Sequence, residues 1–199
     1  RTARTADETL ASVTVITREN IEHTQAKNVA ELLAGEAGLD VAVNGGYGKS
    51  TSIFLRGTNS DHTLVLIDGL KINSATNGIP SWQYLPLDQI ERIEVVRGPR
   101  SSLYGADAIG GVVQIFTRQP TDKFQGNAGA GFGTYGTRNL SAGVSGAEGS
   151  TRYSLSAGHT STDGIDSRTS SSGNEGDRDG YRNESLAARV THRFAQGAE

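Results

Sequence analysis

An alternation of apolar and polar residues begins near residue 125 and constrains the fold more than any other feature of this chain. Its period of two predicts strands with one apolar and one polar face. The apolar positions fall in four runs: Ala128, Ala130 and Phe132; Leu140, Ala142 and Val144; Tyr153, Leu155 and Ala157; Leu186, Ala188, Val190 and Phe194. Such strands suit a transmembrane β-barrel with lipid outside, and they equally suit an antiparallel sheet packed on a soluble core.

The connections between these strands differ in length. Residues 146–149 form a short turn, whereas the polar residues 161–180 form a long loop. Short periplasmic turns and long extracellular loops are the rule in outer-membrane barrels. Because four strands cannot close such a barrel, we expect the chain to be a fragment of a larger protein. It begins at Arg1 without a methionine or an apolar signal core, as a trimmed product would.

Residues 1–121 have a different character, with helix signals among short β-branched runs. The run Val13–Thr17 predicts a strand, Thr17 can cap a helix from Arg18, and Asn28 with Glu31 has the spacing of a capping box. Further short strands are predicted at residues 39–43, 52–56, 63–69, 93–97 and 111–116. The predicted fold is therefore an α+β domain over 1–121, followed by antiparallel strands of a barrel over 122–199.

Composition excludes several classes of protein. The net charge of −3 and the absence of a basic run argue against a nucleic-acid partner. Without cysteine there is neither a disulfide framework nor a thiolate metal site. The sequence also lacks an apolar run long enough for a membrane-spanning helix.

Two apparent nucleotide-binding motifs fail when their surroundings are considered. Gly48, Lys49 and Ser50 imitate the end of a P-loop, but that loop requires glycine where Val43 stands. Residues 131–136 match G-x-G-x-x-G, yet strand-like alternation follows where a helix should begin. The four histidines share no ligand spacing, and no nucleophile with a base stands out. We therefore do not predict an enzyme.

Four ordered blocks in the first section carry a family resemblance. They are residues 53–59 (IFLRGTN), 64–69 (LVLIDG), 90–99 (IERIEVVRGP) and 103–113 (LYGADAIGGVV). Together they resemble the plug domain of TonB-dependent outer-membrane receptors. Within that family, residues 44–46, 52–59 and 97–101 are most similar to the cobalamin transporters. The resemblance implies import of cobalamin across the bacterial outer membrane, and an N-terminal segment that pairs with TonB by strand addition. Outer-membrane lipid would then surround the barrel strands.

The resemblance also implies a ligand site at two outward-facing loops of the plug, near residues 46–52 and 74–82. The positions that match cobalamin contacts are Ser50, Ser52, Asn59, Asn77 and Gly78. Their small or polar side chains suit hydrogen bonds to amides, while Tyr47 and Trp82 could supply apolar contact area. Each of these residues is alternatively a turn former without a ligand.

The long loop of the second section contains a concentration of carboxylates. Glu175, Asp177 and Asp179 alternate with other residues and repel one another unless a cation or protons intervene. The spacing imitates the start of an EF-hand, but its twelfth position is Leu186. By resemblance to cobalamin transporters, the calcium ligands would be Asp166, Glu175, Asp177 and Asp179. A solvated acidic loop without metal is the alternative.

Other interpretations remain open at this point. A ferric-siderophore or haem receptor would share most of the plug blocks, and a soluble β-rich binding module could contain a plug-like section. Five charged residues could form ion pairs that either hold the plug to the barrel wall or act within the plug: Arg56, Glu91, Glu94, Arg97 and Arg100.

Overall fold

The computed structural model describes residues 12–24, 26–166 and 178–194, and the chain divides into two compact units. The first unit comprises residues 1–44 and 50–117, and the second comprises 45–49 and 118–199. The division after Thr117 lies close to the one predicted after residue 121. Gly45–Lys49 belongs to the second unit although it lies far from the other residues of that unit in the sequence.

The described strands of the first unit are β1 (Val13–Thr17), β2 (Leu39–Val43), β3 (Thr51–Leu55), β4 (Thr63–Ile67), β5 (Leu70–Lys71), β6 (Ile90–Arg97) and β7 (Gly111–Thr117). A mixed five-stranded sheet has the strand order β1-β6-β7-β4-β5. Strands β4 and β7 are parallel, and the other neighbours in this sheet are antiparallel. A separate antiparallel pair is formed by β2 and β3.

The helices of the first unit are short, and side chains cap the first two. The Thr17 hydroxyl accepts a hydrogen bond from the backbone N–H of Asn20. In return, the Asn20 side-chain oxygen accepts one from the backbone N–H of Thr17. At the second helix, Asn28 accepts from the N–H of Glu31 at 2.8 Å. Both predicted caps are confirmed. The α-helices are α1 (Arg18–Thr24), α2 (Val29–Ala34) and α3 (Ser101–Tyr104), and 3-10 turns cover Ser60–His62, Trp82–Tyr84, Leu87–Gln89 and Ala106–Ala108.

The main core of the first unit lies where α1, α2 and the β2–β3 pair pack against the sheet. Burial follows from the sequence pattern, because the apolar residues of β6 alternate while β4 and β7 are almost continuously apolar. The largest fully buried side chains include Trp82, Leu33, Ile53, Ile93 and Ile115. The hydrophobic effect on these side chains stabilises the unit and fixes the loops at the strand ends.

The described strands of the second unit are β8 (Gln125–Phe132), β9 (Arg138–Glu148), β10 (Thr151–Thr162) and β11 (Tyr181–His192). They form a four-stranded antiparallel sheet with the order β11-β10-β9-β8.

The turn predicted at residues 146–149 is shorter in the structure. Gly146 and Glu148 belong to β9, and the turn is the two-residue loop Gly149–Ser150, closed by the pair Glu148 and Thr151. Gly149 adopts a φ of +58°, which glycine tolerates at the first position of such a turn.

The two faces of this sheet differ in both composition and exposure. Register pairs Leu155 with Ala188 and Ala157 with Leu186, so the apolar positions of neighbouring strands share one face. That face is open to solvent, with Leu186 75% and Val190 71% exposed. The polar positions of β11 on the opposite face are half-buried. The apolar residues therefore lie on the more exposed face of the sheet.

Residues 118–123 run along the polar face of this sheet and are tied to it by side chains. Arg152 forms a 2.8 Å ion pair with Asp122, and the hydroxyls of Thr121 and Ser145 lie 3.0 Å apart.

Among the helices in the described ranges, none has the length and apolar content needed to span a bilayer.

Candidate functional site

The side chain of Asn73 organises the loop that contains two of the predicted ligand positions. Its amide nitrogen donates to the carbonyls of Thr63 at 3.0 Å and Gly78 at 2.8 Å. Its oxygen accepts from the N–H of Val65 at 2.8 Å. One side chain therefore satisfies three backbone groups and attaches the loop to β4. The sequence prediction did not include Asn73, although an asparagine beside a strand in a polar loop is a usual turn former.

The structure brings Asn77 and Gly78 close to the turn that follows Asn59. Gly78 has a φ of +70°, and a Cβ placed on it would lie 3.0 Å from the Cβ of Asp61. Asp61 belongs to the 3-10 turn for which Asn59 is the preceding residue. Asn59 and Asn77 are both exposed. These three of the five predicted positions therefore lie on neighbouring loops with polar groups available to a ligand.

Ser50 and Ser52 belong to the β2–β3 hairpin. The carbonyl of Ser50 accepts from the N–H of Asn44 at 3.0 Å, and Ser52 pairs with Ala42 in the ladder. Ser50 is exposed, while Ser52 is half-buried. No contact joins them directly to the loop of Asn77 among the described interactions, so the structure brings together only part of the predicted set.

Trp82 does not provide the exposed apolar contact that the sequence suggested. Its side chain is 0% exposed and belongs to the main core of the first unit. Its indole N–H has no hydrogen-bond acceptor within the described residues. The 3-10 turn Trp82–Tyr84 directs the indole inward, while Tyr84 is 55% exposed. The large apolar area of a tryptophan explains why burial is favoured at this position.

The two ends of the acidic loop meet at a defined base in the second unit. The N–H of Asp179 donates to the carbonyl of Ile165 at 3.1 Å. Gly164 has a φ of +72° and packs directly against the backbone of Asp179. This base places Asp166, which follows Ile165, at the same end of the sheet as Asp179. A cleft of ≈ 410 Å³ lies beside it, lined by Tyr135, Gly136, Asp163, Gly164, Ile165, Asp166 and Arg178.

The predicted metal ligands are only partly represented in the structure. Glu175 and Asp177 lie outside the described residues, whereas Asp166 and Asp179 lie within them. Within the ranges that the structure describes, no group of three or more His, Cys, Asp or Glu residues could hold a metal ion. Carboxylate oxygens are the ligands calcium prefers, so the two described aspartates fit that ion in chemistry but do not complete a site.

The carboxylate of Asp179 accepts a hydrogen bond from the side chain of Lys49. Lys49 Nζ lies 2.8 Å from Asp179 Oδ1, and both side chains are partly exposed. Two residues away from each partner, the rings of Tyr47 and Tyr181 pack with centroids 5.1 Å apart and planes at 56°. In the sequence, Lys49 belongs to a motif that imitates the end of a P-loop but lacks its first glycine. Nothing in the sequence indicates a partner 130 residues away.

Arg97 is the charged residue of the first unit with the clearest internal role. It is 7% exposed and donates from Nε to the carbonyl of Ala37 at 2.8 Å and from Nη1 to the hydroxyl of Thr14 at 2.7 Å. Glu36 adds a carboxylate oxygen 4.0 Å from Nη2. Glu94, another of the residues considered for ion pairs, accepts from Arg92 at 2.8 Å. Of the two roles considered for Arg97, the structure favours the one within the unit.

The family model described as the TonB-dependent Receptor Plug Domain matches residues 5–112. The chain belongs to the TonB-dependent receptor plug family. The resemblance inferred from the four sequence blocks is therefore confirmed, and so is the fold class of an α+β plug followed by antiparallel strands. As a TonB-dependent receptor, this chain is assigned to the bacterial outer membrane.

Several individual proteins are similar to this TonB-dependent receptor chain. The vitamin B12 transporter BtuB of Vibrio cholerae is 40% identical over 192 residues, which cover 95% of this chain and 31% of the transporter. BtuB of Photobacterium profundum is 41% identical over 185 residues, covering 92% and 30%. The solved ferric enterobactin receptor PfeA of Pseudomonas aeruginosa superposes with a TM-score of 0.71 at 26% identity, covering 92% and 31%. The chain thus spans about a third of the length of these relatives.

Proposed function

We propose that this chain is part of a TonB-dependent importer that carries cobalamin across the bacterial outer membrane. The observation that supports cobalamin most directly is the 40% identity to a vitamin B12 transporter over 95% of the chain. Identity to the ferric enterobactin receptor is 26%, although the fold is similar. The alignment covers 95% of the chain and therefore extends over both units, not over the plug alone.

The proposed cobalamin site lies at the loops around Asn59, Asn77 and Gly78, together with Ser50 and Ser52. The three residues on adjoining loops are supported by the contact of Gly78 with Asp61 and by the exposure of both asparagines. A bulky ligand with peripheral amides would find donors and acceptors there. The Asn77 side-chain oxygen accepts from the N–H of Ile79 at 3.0 Å, which orients the amide, and its nitrogen can donate to a ligand.

Calcium is proposed as a structural ion of the acidic loop, with Asp166 and Asp179 joined by Glu175 and Asp177. The base formed by Gly164, Ile165 and Asp179 supports the proposal, because it holds both ends of the loop together. Calcium would supply positive charge that neutralises the carboxylates and orders the loop. Calcium would order the acidic loop and take no part in catalysis, because we propose transport and no enzymatic reaction.

TonB is the proposed energy-coupling partner, and it would bind by strand addition to a segment at or before Arg1, Thr2 and Ala3. The position of β1 supports this proposal. It is an edge strand of the five-stranded sheet, paired only with β6 among the described strands. A segment that precedes an edge strand can be reached without opening the sheet.

The second unit is proposed to form the first strands of a transmembrane barrel in contact with outer-membrane lipid. Its apolar face supports this, because Phe132, Leu186 and Val190 are 80%, 75% and 71% exposed. A soluble sheet would instead bury such a face against a core. That exposure argues against the soluble β-rich module. Import of a ferric siderophore remains the second candidate, favoured by the structural similarity to PfeA.

Ligand binding by the full-length receptor tests the proposal. Purified protein would be titrated with cyanocobalamin and, separately, with ferric enterobactin, each with calcium and with chelator. We expect cobalamin to bind, more tightly with calcium, and the siderophore not to compete. Siderophore binding without cobalamin binding would select the second candidate. Cobalamin binding unchanged by Asn59→Ala with Asn77→Ala would move the ligand site elsewhere.

A further inference from the structure

The apolar face of the β8–β11 sheet ends in a row of side chains that includes two arginines. Directly paired residues of neighbouring strands have side chains on the same face. The register therefore places four side chains next to one another across the sheet, hereafter the end row: Phe132, Arg138, Ser161 and Arg182. The next row contains His159 and Glu184, and the face is apolar beyond it. Positive charge is thus concentrated at one end of an otherwise apolar surface.

The end row lies at the end of the sheet from which the long loop leaves. Thr162 ends β10 and Tyr181 begins β11, whereas the two-residue loop Gly149–Ser150 closes the opposite end. In outer-membrane barrels the long loops face outward. The 12 residues of β11, tilted by about 40°, rise about 30 Å, slightly more than the apolar band of about 25 Å. In the proposed barrel, the end row therefore lies at the headgroups of the outer leaflet.

Arg138 lies where the protein supplies no counter-charge. Its strand, β9, is paired on both sides, so no other strand can come to lie beside it. Its neighbours in the end row, Phe132 and Ser161, are uncharged. The side chain of Arg138 is exposed, and none of the described residues forms an ion pair with it. Because a guanidinium beside hydrocarbon is costly unless it reaches the interface or finds an anion, Arg138 favours an anionic partner from the membrane.

Arg182 is oriented by a carboxylate in the next row. Its Nε and Nη2 donate to Glu184 Oε1 at 3.1 Å and 2.5 Å. A guanidinium has five N–H donors, so this contact leaves donors that can reach a second acceptor. The charge of Glu184 opposes an anion, which makes Arg182 the weaker of the two cations. Arg138 and Arg182 are two strands apart, a distance of about 10 Å that two long side chains can bridge to one headgroup.

We propose that the end row binds the anionic phosphate headgroup of an outer-leaflet lipid, with Arg138 as the main contact and Arg182 as the second. This inference rests on the proposed transmembrane barrel and names the class of lipid that its outward end binds. A guanidinium matches a phosphate with two parallel N–H donors. Phe132, 80% exposed, lies beside Arg138 at the interfacial level where aromatic side chains are favoured. The acyl chains of the same lipid would cover the apolar rows.

Native mass spectrometry of the complete receptor tests the headgroup site. Protein in neutral detergent would receive equal amounts of dioleoylphosphatidylglycerol, which is anionic, and dioleoylphosphatidylcholine, which has no net charge. We expect about fivefold more phosphatidylglycerol to be retained, the factor that one arginine contributes near an anionic lipid surface. Arg138→Gln should remove this preference, and Arg138→Lys should keep most of it because the charge remains. Glu184→Gln should raise the preference, since the opposing carboxylate is gone and Arg182 is released.

Arg152→Gln is the matched control. It removes the same charge from the same sheet, but Arg152 lies on the polar face, where it pairs with Asp122. Its lipid preference should equal that of the unmodified protein. Equal retention of the two lipids by the unmodified protein, or equal loss of preference in Arg138→Gln and Arg152→Gln, would overturn the headgroup site and leave the barrel standing. If neither lipid is retained, the proposed membrane-facing strands are wrong, and the headgroup site with them.

Discussion

The guanidinium of Arg97 donates a 2.7 Å hydrogen bond to the hydroxyl of Thr14 and thereby joins β6 to the edge strand β1. The same side chain reaches the carbonyl of Ala37 beyond α2. Arg97 therefore fastens three parts of the first unit at one buried point. A buried acceptor that loses its hydrogen-bond donor lowers the free energy of unfolding by about 1–3 kcal/mol.

Replacing Arg97 by methionine should loosen β1 before the rest of the sheet. We expect the free energy of unfolding of the first unit to fall by about 3 kcal/mol. Amide hydrogen exchange in Val13–Thr17 should accelerate more than in β4 or β7. Thr14→Val removes one acceptor and keeps the arginine, so a loss of about 1 kcal/mol is expected. Equal protection of β1 in all three proteins would contradict this role of Arg97.

Asn73→Ala should disturb the proposed ligand loop without touching the ligand. The change removes the donors to Thr63 and Gly78 and the acceptor for Val65. We expect a loss of about 2 kcal/mol in stability and weaker cobalamin binding, because Gly78 is no longer held. Binding measured by calorimetry and loop protection measured by hydrogen exchange check both effects.

Asn77→Ala is the comparison for Asn73→Ala. Its exposed side chain accepts one hydrogen bond, from the N–H of Ile79. Stability should change by less than about 1 kcal/mol, while binding weakens if its amide contacts the ligand. Identical stability losses in the two variants would show that Asn73 does not organise the loop.

Truncation of Trp82 should lower the stability of the first unit much more than the loss of its indole N–H. Trp82→Ala leaves a cavity in the core and should cost about 3–5 kcal/mol. Trp82→Phe removes an indole N–H that has no acceptor among the described residues, so the cost should come only from lost volume. Thermal unfolding followed by circular dichroism ranks the variants. A phenylalanine variant as unstable as the alanine variant would contradict the packing.

Alanine at Gly48 and at Gly57 separates backbone strain from crowding. Both glycines have a positive φ, +77° and +73°, but a Cβ meets Tyr181 at Gly48 and nothing within 4 Å at Gly57. The strain of about 1 kcal/mol is common to both changes. Only Gly48→Ala should displace residues 45–49 from Tyr181, measured as faster exchange of their amides. Equal exchange in the two variants would mean that the Tyr181 contact is not tight.

Local signals in the sequence predicted much of the first unit. The caps at Thr17 and Asn28 depend on residues three positions apart, and the structure contains both. The faces of β8 to β11 followed from period-two alternation, which the register preserves across all four strands. The Gly149 turn was misplaced by a few residues because Gly146 is also a plausible turn former, and only cross-strand pairing selects between them.

Relationships over long sequence separations could not be predicted. The burial of Trp82 depends on α2 and β3 packing over it, and an aromatic residue in a polar loop gives no local sign of that. The pairing of Lys49 with Asp179 depends on the packing of Tyr47 and Gly48 against the ring of Tyr181. Of the proposed ligand positions, the neighbourhood of Gly78 and Asp61 emerged only from the fold.

The strand order of the second unit has a practical consequence for work with this segment by itself. Among the described strands, β8 and β11 are the outer members of the sheet, and each has one side without a hydrogen-bonding neighbour. β11 runs for 12 residues beside an open apolar face. Long, flat, apolar edges of this kind recruit other chains. Expressed alone in water, these 199 residues should self-associate through β8 and β11, and detergent or the neighbouring strands of the complete receptor should prevent it.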